Sequence, residues 1–221
     1  MTRLDPLSLY YMKKNDLDKL IAEGYDFNIE RSFRNGWEMF KVKPLFSMMY
    51  GTLILSIQLL FALYLNDLAV LFGVFLAGPL YAGFYLVANK LSRNEEVVYP
   101  DFFTGFQYYI PVMLVWVVGQ IITVFGIFIL IIPGIYLMVG YIFALLMAIF
   151  GGLDFWNSLE YSRKLIHQKW WKFFLLTLLL IVLNLVGALL FFIGLIITIP
   201  LTYYVIYCLF EEITQEALME E

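Results

Sequence analysis

The chain has one cysteine, one histidine and few charges, and each scarcity excludes something. A lone thiol, Cys208, leaves no internal disulfide and no thiolate cluster for a metal. A lone imidazole, His167, falls short of the ligand count of a zinc or haem site, so no metal and no cofactor is expected. Charged residues are 14% of the 221, against roughly 25% in soluble domains. The HExxH, GxSxG, Walker and GxGxxG patterns are absent, and with them the common signatures of hydrolases and nucleotide enzymes. A net charge of −4 opposes nucleic-acid binding. No catalytic residue is assigned, and the chain is not expected to be an enzyme.

What fills the space is apolar: 62% of residues are hydrophobic and 19% aromatic, with a mean hydropathy of +0.83. Trp171–Phe210 holds no charge except Lys172. Long unbroken runs of this kind select membrane-spanning helices rather than barrel strands. The runs predict an all-α, polytopic membrane protein with six spans near 44–65, 68–91, 110–131, 135–150, 170–188 and 192–210. Gly78-Pro79 and Pro200 fall inside spans, where a proline removes a backbone donor and is expected to kink the helix. Pro133-Gly134 is expected to break the run between the third and fourth spans.

Three amphipathic stretches stand before the odd-numbered spans. From Asn28, Ile29, Phe33, Trp37 and Phe40 oppose Glu30, Arg31, Arg34, Glu38 and Lys41. Phe102, Phe103, Phe106 and Tyr109 make a second apolar stripe after Pro100-Asp101. Asp154 is the expected N-cap of a third, with Phe155, Leu159, Ser162, Ile166 and Trp170 on one face and Asn157, Glu160, Lys164 and His167 on the other. Such patterns suit helices lying in the membrane interface. The expected architecture is therefore three helical hairpins, each preceded by an interfacial helix. Domain bounds follow: an N-terminal segment over 1–27 with a short helix closed by Gly24, a membrane domain over 28–212, and an acidic tail over 213–221.

The hairpins read as repeats over 28–91, 99–150 and 153–212. Phe33-Arg-Asn-Gly36-Trp37 aligns with Phe102-Phe-Thr-Gly105-Phe106, and the run from Gly73 to Pro79 aligns with that from Gly194 to Pro200. All 14 lysines and arginines fall in 1–43, 90–93 or 163–172, on one side of the predicted topology. The positive-inside rule then places both termini in the cytoplasm, in a cytoplasmic (inner) membrane.

Polarity inside the spans is confined to neutral groups. One amide sits in the first helix of each hairpin, Gln58, Gln120 and Asn184. They read either as interhelical hydrogen bonds or as the lining of a transport or lipid path. Arg163, Lys164, Lys169 and Lys172 beside Trp170-Trp171 suit anionic headgroups, and the protein's own acidic tail is the competing partner. Trp37, Phe106, Trp156 and Trp170 are the expected interfacial anchors.

The runs Gly126–Ile135, Ser158-Leu-Glu-Tyr-Ser162-Arg-Lys-Leu165, Trp170-Trp171 and Thr198-Ile-Pro200-Leu201 resemble a family of bacterial and archaeal multi-helix membrane proteins. The family is catalogued as domain of unknown function 975 and is related to the membrane domain of some glycerophosphoryl diester phosphodiesterases. The resemblance covers about residues 28–212 and implies a six-helix bundle without an established activity. A phosphodiesterase needs a soluble metal-binding barrel, for which this chain has no room, and a carotenoid oxygenase needs several iron-binding histidines, where this chain has one. The expected role is a non-enzymatic scaffold or accessory subunit that binds membrane lipids and a partner membrane protein, with homo-oligomers possible. The alternative is a transporter or lipid-handling protein using the three amides.

Overall fold

The computed structural model describes residues 14–190 and 193–219, which are helical almost throughout and contain no strand. Helix α1 (Lys14–Glu23) buries Leu17 and Leu20 and ends at Gly24, whose φ of +77° favours glycine. Asn28 caps α2 (Ile29–Val42) by accepting the Arg31 N–H at 3.2 Å. Among the described residues, six helices are long and apolar enough to cross a membrane. The first is α3 (Pro44–Leu63), and the second is α4 (Ala69–Ser92). A 3₁₀ stretch, Tyr99–Tyr108, then leads into α5 (Tyr109–Ile129). The fourth span is split into α6 (Ile131–Gly140) and α7 (Ala144–Phe150). After α8 (Phe155–His167) come α9 (Trp170–Leu189) and α10 (Leu195–Met219). Helix α10 carries on past the apolar run into the acidic segment assigned to a tail; the side chains from 215 on, like residues 1–13 and 220–221, lie outside the described residues.

The prolines act differently from one another. Pro200 sits inside α10 without ending it. Pro79 follows a π-helical turn, Phe72–Leu76, in α4; a proline offers no N–H to the preceding turn, and the helix widens there. The break expected at Pro133-Gly134 falls earlier, at the single residue Leu130. Pro133 is in the first turn of α6, where its missing N–H costs nothing, so it starts the helix rather than stopping the run.

The spans divide into two kinds. The first, third and fifth bury only 22%, 17% and 22% of their apolar windows, whereas the second, fourth and sixth bury 56%, 50% and 56%. The later helix of each pair therefore supplies the core.

The chain forms two compact units, one from the described parts of 1–27, 110–174 and 210–221, the other from 28–109 and 175–209. In the second unit Tyr50 meets Phe84 and Phe102 at ring distances of 5.1 and 4.8 Å, and the Tyr50 hydroxyl donates to the Leu80 carbonyl at 2.8 Å. The 3₁₀ stretch packs on α4 with almost no gap. A Cβ on Gly83 would lie 1.9 Å from the Phe102 oxygen, and one on Gly105 would lie 2.1 Å from the Pro79 oxygen. Gly36 of α2 presses on Val205 of α10 in the same way. Asp101 anchors the stretch, accepting from the Val98 N–H at 2.9 Å and from Lys90 at 2.7 Å.

In the first unit Phe143 packs edge-on to Phe173 and Phe210 at 5.4 and 5.3 Å, and Phe27 joins at 4.8 Å from Phe173. The Tyr25 hydroxyl donates to the Leu165 carbonyl at 2.8 Å, and burial pushes its pKa up.

Candidate functional site

The basic, aromatic junction between α8 and α9 folds against α6 in the first unit. Asp154 starts α8 as its sequence predicts, accepting the N–H groups of Trp156 and Asn157 at 3.1 and 3.0 Å. The helix then turns Ser158, Leu159, Ser162, Leu165 and Ile166 inward. Ser162 repairs the break between α6 and α7: its hydroxyl donates to the Gly140 carbonyl at 2.7 Å and accepts the Phe143 N–H at 3.2 Å. Those are backbone groups that the break leaves without helical partners.

One turn on, charge gathers around Tyr136 of α6. Arg163 makes a two-pronged pair with Glu160, at 2.9 and 2.8 Å, and extends its third nitrogen to the Tyr136 hydroxyl at 3.1 Å. The same hydroxyl meets His167 Nδ1 at 3.0 Å. The Arg163 hydrogen bonds hold the Glu160 carboxyl below the usual carboxylate range, and Glu160 raises the guanidinium in turn. Lys164 stands 3.8 Å from Glu160.

The junction itself is walled by rings. Trp170 lies parallel to Tyr136 at 6.0 Å and to Phe174 at 5.1 Å, with Trp171 edge-on at 4.8 Å. Lys172 pairs with Asp26 and reaches over the Phe27 ring at 5.7 Å; the pairing holds the Asp26 carboxyl down. Tyr136 and the run from His167 to Lys172 enclose an open cleft of about 470 Å³. The cleft floor includes Gln168, whose Nε2 donates to the Ile21 carbonyl while its buried Oε1 has no partner among the described residues. Two ammonium groups, an imidazole and an indole beside apolar rings can hold phosphate oxygens while the rings take up the adjoining glycerol and acyl carbons.

Of the residues singled out in the sequence, Lys169, Trp170 and Lys172 line this cleft, and Arg163 and Lys164 flank it along α8. The described acidic partners of the basic set are Glu160 and Asp26. Trp156 projects from α8, 58% exposed, and Trp37 projects from α2 of the second unit, 43% exposed. Phe106 is exposed on the 3₁₀ stretch, stacked on Tyr109 at 6.4 Å. Gln58 and Asn184, both in the second unit, hold different partners. Gln58 donates to Tyr81 at 2.6 Å and Asn184 donates to Thr202 at 2.7 Å, each bonding the next helix in sequence, while Gln120 is exposed on α5 of the other unit. No set of three metal-ligating side chains occurs among the described residues.

Tyr136 is the participant that sequence reasoning missed. It sits in an apolar run, some thirty positions from the residues it joins, and no periodicity links the two. No protein-family model, no curated protein and no solved structure matches the chain.

Proposed function

We propose that this multi-pass membrane protein is a non-enzymatic scaffold or accessory subunit that holds anionic lipid headgroups at the α8–α9 junction and docks a partner membrane protein beside them. The observation that carries this reading is the cleft between Tyr136 and His167–Lys172, in which Lys169 and Lys172 stand among Trp170, Trp171 and Tyr136 at the start of an apolar helix. Aromatic rings and lysines at the end of a span are what a headgroup layer selects. The three segments before the odd-numbered spans fit interfacial roles, and the exposed Trp37 and Trp156 fit anchors. A triplicated hairpin is supported by like contacts: Gly105 on Pro79, Ser162 on Gly140, and Gly36 on Val205, each joining a pre-hairpin segment to the later helix of a pair. The lysine and arginine distribution favours a cytoplasmic membrane with both termini inside. Membership of the domain of unknown function 975 family is consistent with this architecture.

The test is native mass spectrometry of the protein released directly from its own membrane. Wild type is expected to carry anionic phospholipid and a protein partner, and Lys169→Glu with Lys172→Glu is expected to lose the phospholipid. Equal phospholipid retention in both would overturn the assignment.

A further inference from the structure

The third and fourth spans meet the length and composition of crossing helices, but their surroundings set how deep they can go. Helix α8 runs antiparallel to α7 and α6: its Ser162 meets Phe143 and Gly140, and its Arg163 and His167 meet Tyr136. A Cβ on Gly140 would lie 3.4 Å from Arg163 Cγ, so the arginine stem lies directly on the α6 backbone. Glu160, Arg163, Lys164, His167, Lys169 and Lys172 thus gather along α6 between Gly140 and Tyr136 or flank that stretch. Six ionisable groups are costly in hydrocarbon and are at home among headgroups and water, so this part of α6 lies shallow.

From Tyr136 back to the turn at Leu130 is six residues, a rise of about 9 Å at 1.5 Å per residue. The hydrocarbon core is roughly 30 Å thick. Measured along α6 the turn therefore falls short of the far surface, and α5, 21 residues and about 30 Å long, must run obliquely in the membrane to meet it from the same side. Its chemistry agrees. Between Thr123 and Tyr136 every residue is apolar, glycine or proline, and Phe128 and Ile132 are 87% and 81% exposed. A turn in water would waste those side chains. Two backbone donors of the turn are paired, the Leu130 N–H with the Gly126 carbonyl at 3.0 Å and the Gly134 N–H with the Leu130 carbonyl at 3.4 Å, and Pro133 carries no donor. Gly134 brings the two helices into backbone contact, since a Cβ there would lie 2.4 Å from the Ile127 nitrogen. The turn in the other unit between α3 and α4 is different in kind, with Asn66 and Asp67 at its tip.

We infer that α5 with α6–α7 forms a re-entrant wedge, which enters and leaves the bilayer on the α8 side and presents Phe128–Ile132 to lipid acyl chains. The interaction surface is the apolar tip, and its partner is the hydrocarbon of the near leaflet. Four helices, α3, α4, α9 and α10, then cross. This inference rests on the headgroup reading of the α8–α9 junction.

The experiment uses the full chain in phospholipid nanodiscs, where both membrane faces are open to reagent. Single cysteines are placed at exposed positions, Phe128→Cys and Ile132→Cys at the tip, Asp67→Cys at the other turn and Trp156→Cys on α8, with the buried Cys208 as the unreactive reference. A membrane-impermeant maleimide is expected to label Asp67→Cys and Trp156→Cys readily, and the tip cysteines about tenfold more slowly or worse until the bilayer is dissolved. A nitroxide at either tip position should collide with oxygen in preference to a nickel chelate. Fast labelling at Trp156→Cys together with fast labelling or chelate access at the tip overturns the wedge and leaves the headgroup reading standing. Slow labelling at Trp156→Cys overturns both.

Discussion

The two units satisfy their interior polar groups in different currencies. In the second unit, helices meet through neutral pairs: Ser47 with Tyr204 at 2.7 Å, Gln58 with Tyr81 at 2.6 Å, Asn89 with Tyr207 at 2.9 Å and Asn184 with Thr202 at 2.7 Å. Its described ion pairs stand away from these contacts: Lys90 with Asp101 at the last turn of α4, Arg93 with Glu95 just beyond it, and Glu38 with Lys41 along α2. In the first unit, the seam between α6 and α8 carries full charges around Tyr136. Hydroxyl and amide pairs are what hydrocarbon tolerates, while guanidinium and carboxylate need water or headgroups close by. On the headgroup reading proposed above, the contrast separates a seam suited to the bilayer from one suited to its edge, and each of the following substitutions tests one side of it.

The largest effect is expected in the second unit, where backbone lies on backbone. Gly83→Ala puts a methyl 1.9 Å from the Phe102 carbonyl oxygen, and nothing flexible is there to yield. A loss of about 3 kcal/mol or more is expected, in the range of severe overpacking. Unfolding in mild detergent should show it as a large fall in midpoint. A near-normal midpoint would mean that the 3₁₀ stretch is free to lift off α4.

Next comes Ser162→Ala in the first unit. The hydroxyl is fully buried and serves both the Gly140 carbonyl and the Phe143 N–H. Removing it strands two backbone groups, at a cost of roughly 1–3 kcal/mol. Ser47→Ala in the second unit strands only the Tyr204 hydroxyl, and roughly 0.6–2 kcal/mol is expected for such an interhelical bond. Because that pair is uncharged, the Ser47→Ala penalty should be the same at low and high salt. A salt-dependent penalty would blur the distinction between the two seams.

How far these seams were legible in the sequence follows from the range of the signals. Asp154 and Gly24 act within a few residues of themselves, and each does what its type and position predict. The apolar runs mark six long helices because hydropathy is a property of the segment alone. The amphipathic pattern before α5 is present in the sequence, yet its backbone is 3₁₀ over Tyr99–Tyr108, because Gly105 and Gly83 draw it onto α4 and no 3.6-residue period encodes that contact. The same holds for the site. Lys169, Trp170 and Lys172 are adjacent in sequence and stand out together, whereas Tyr136 and Asp26 complete the cleft and its ion pair from distant segments. Pairing between distant segments is written in packing, which one sequence does not display.

The smallest effect is the one that separates the seams most cleanly, because only the charged seam titrates. Glu160 has its folded pKa lowered, chiefly by its hydrogen bonds from Arg163, and Asp26 has its own lowered by Lys172. A carboxyl depressed in the folded state contributes stability that is fully present above its unfolded pKa, near 4. That contribution is lost as pH falls through the folded value. Acidification from about pH 6 to about pH 3.5 should therefore lower the unfolding midpoint, and Glu160→Gln should flatten part of the slope. Glu160 is a third exposed, so solvent screening holds its share to about 0.5 kcal/mol. Asp26→Asn should remove a further part, in the same direction. Ser47→Ala and Asn184→Leu change neutral groups and should leave the wild-type slope intact, shifting the whole curve downward. A slope that survives Glu160→Gln and Asp26→Asn together, or one that disappears with Ser47→Ala, would place the titrating groups elsewhere than these two ion pairs and undo the contrast between the two units.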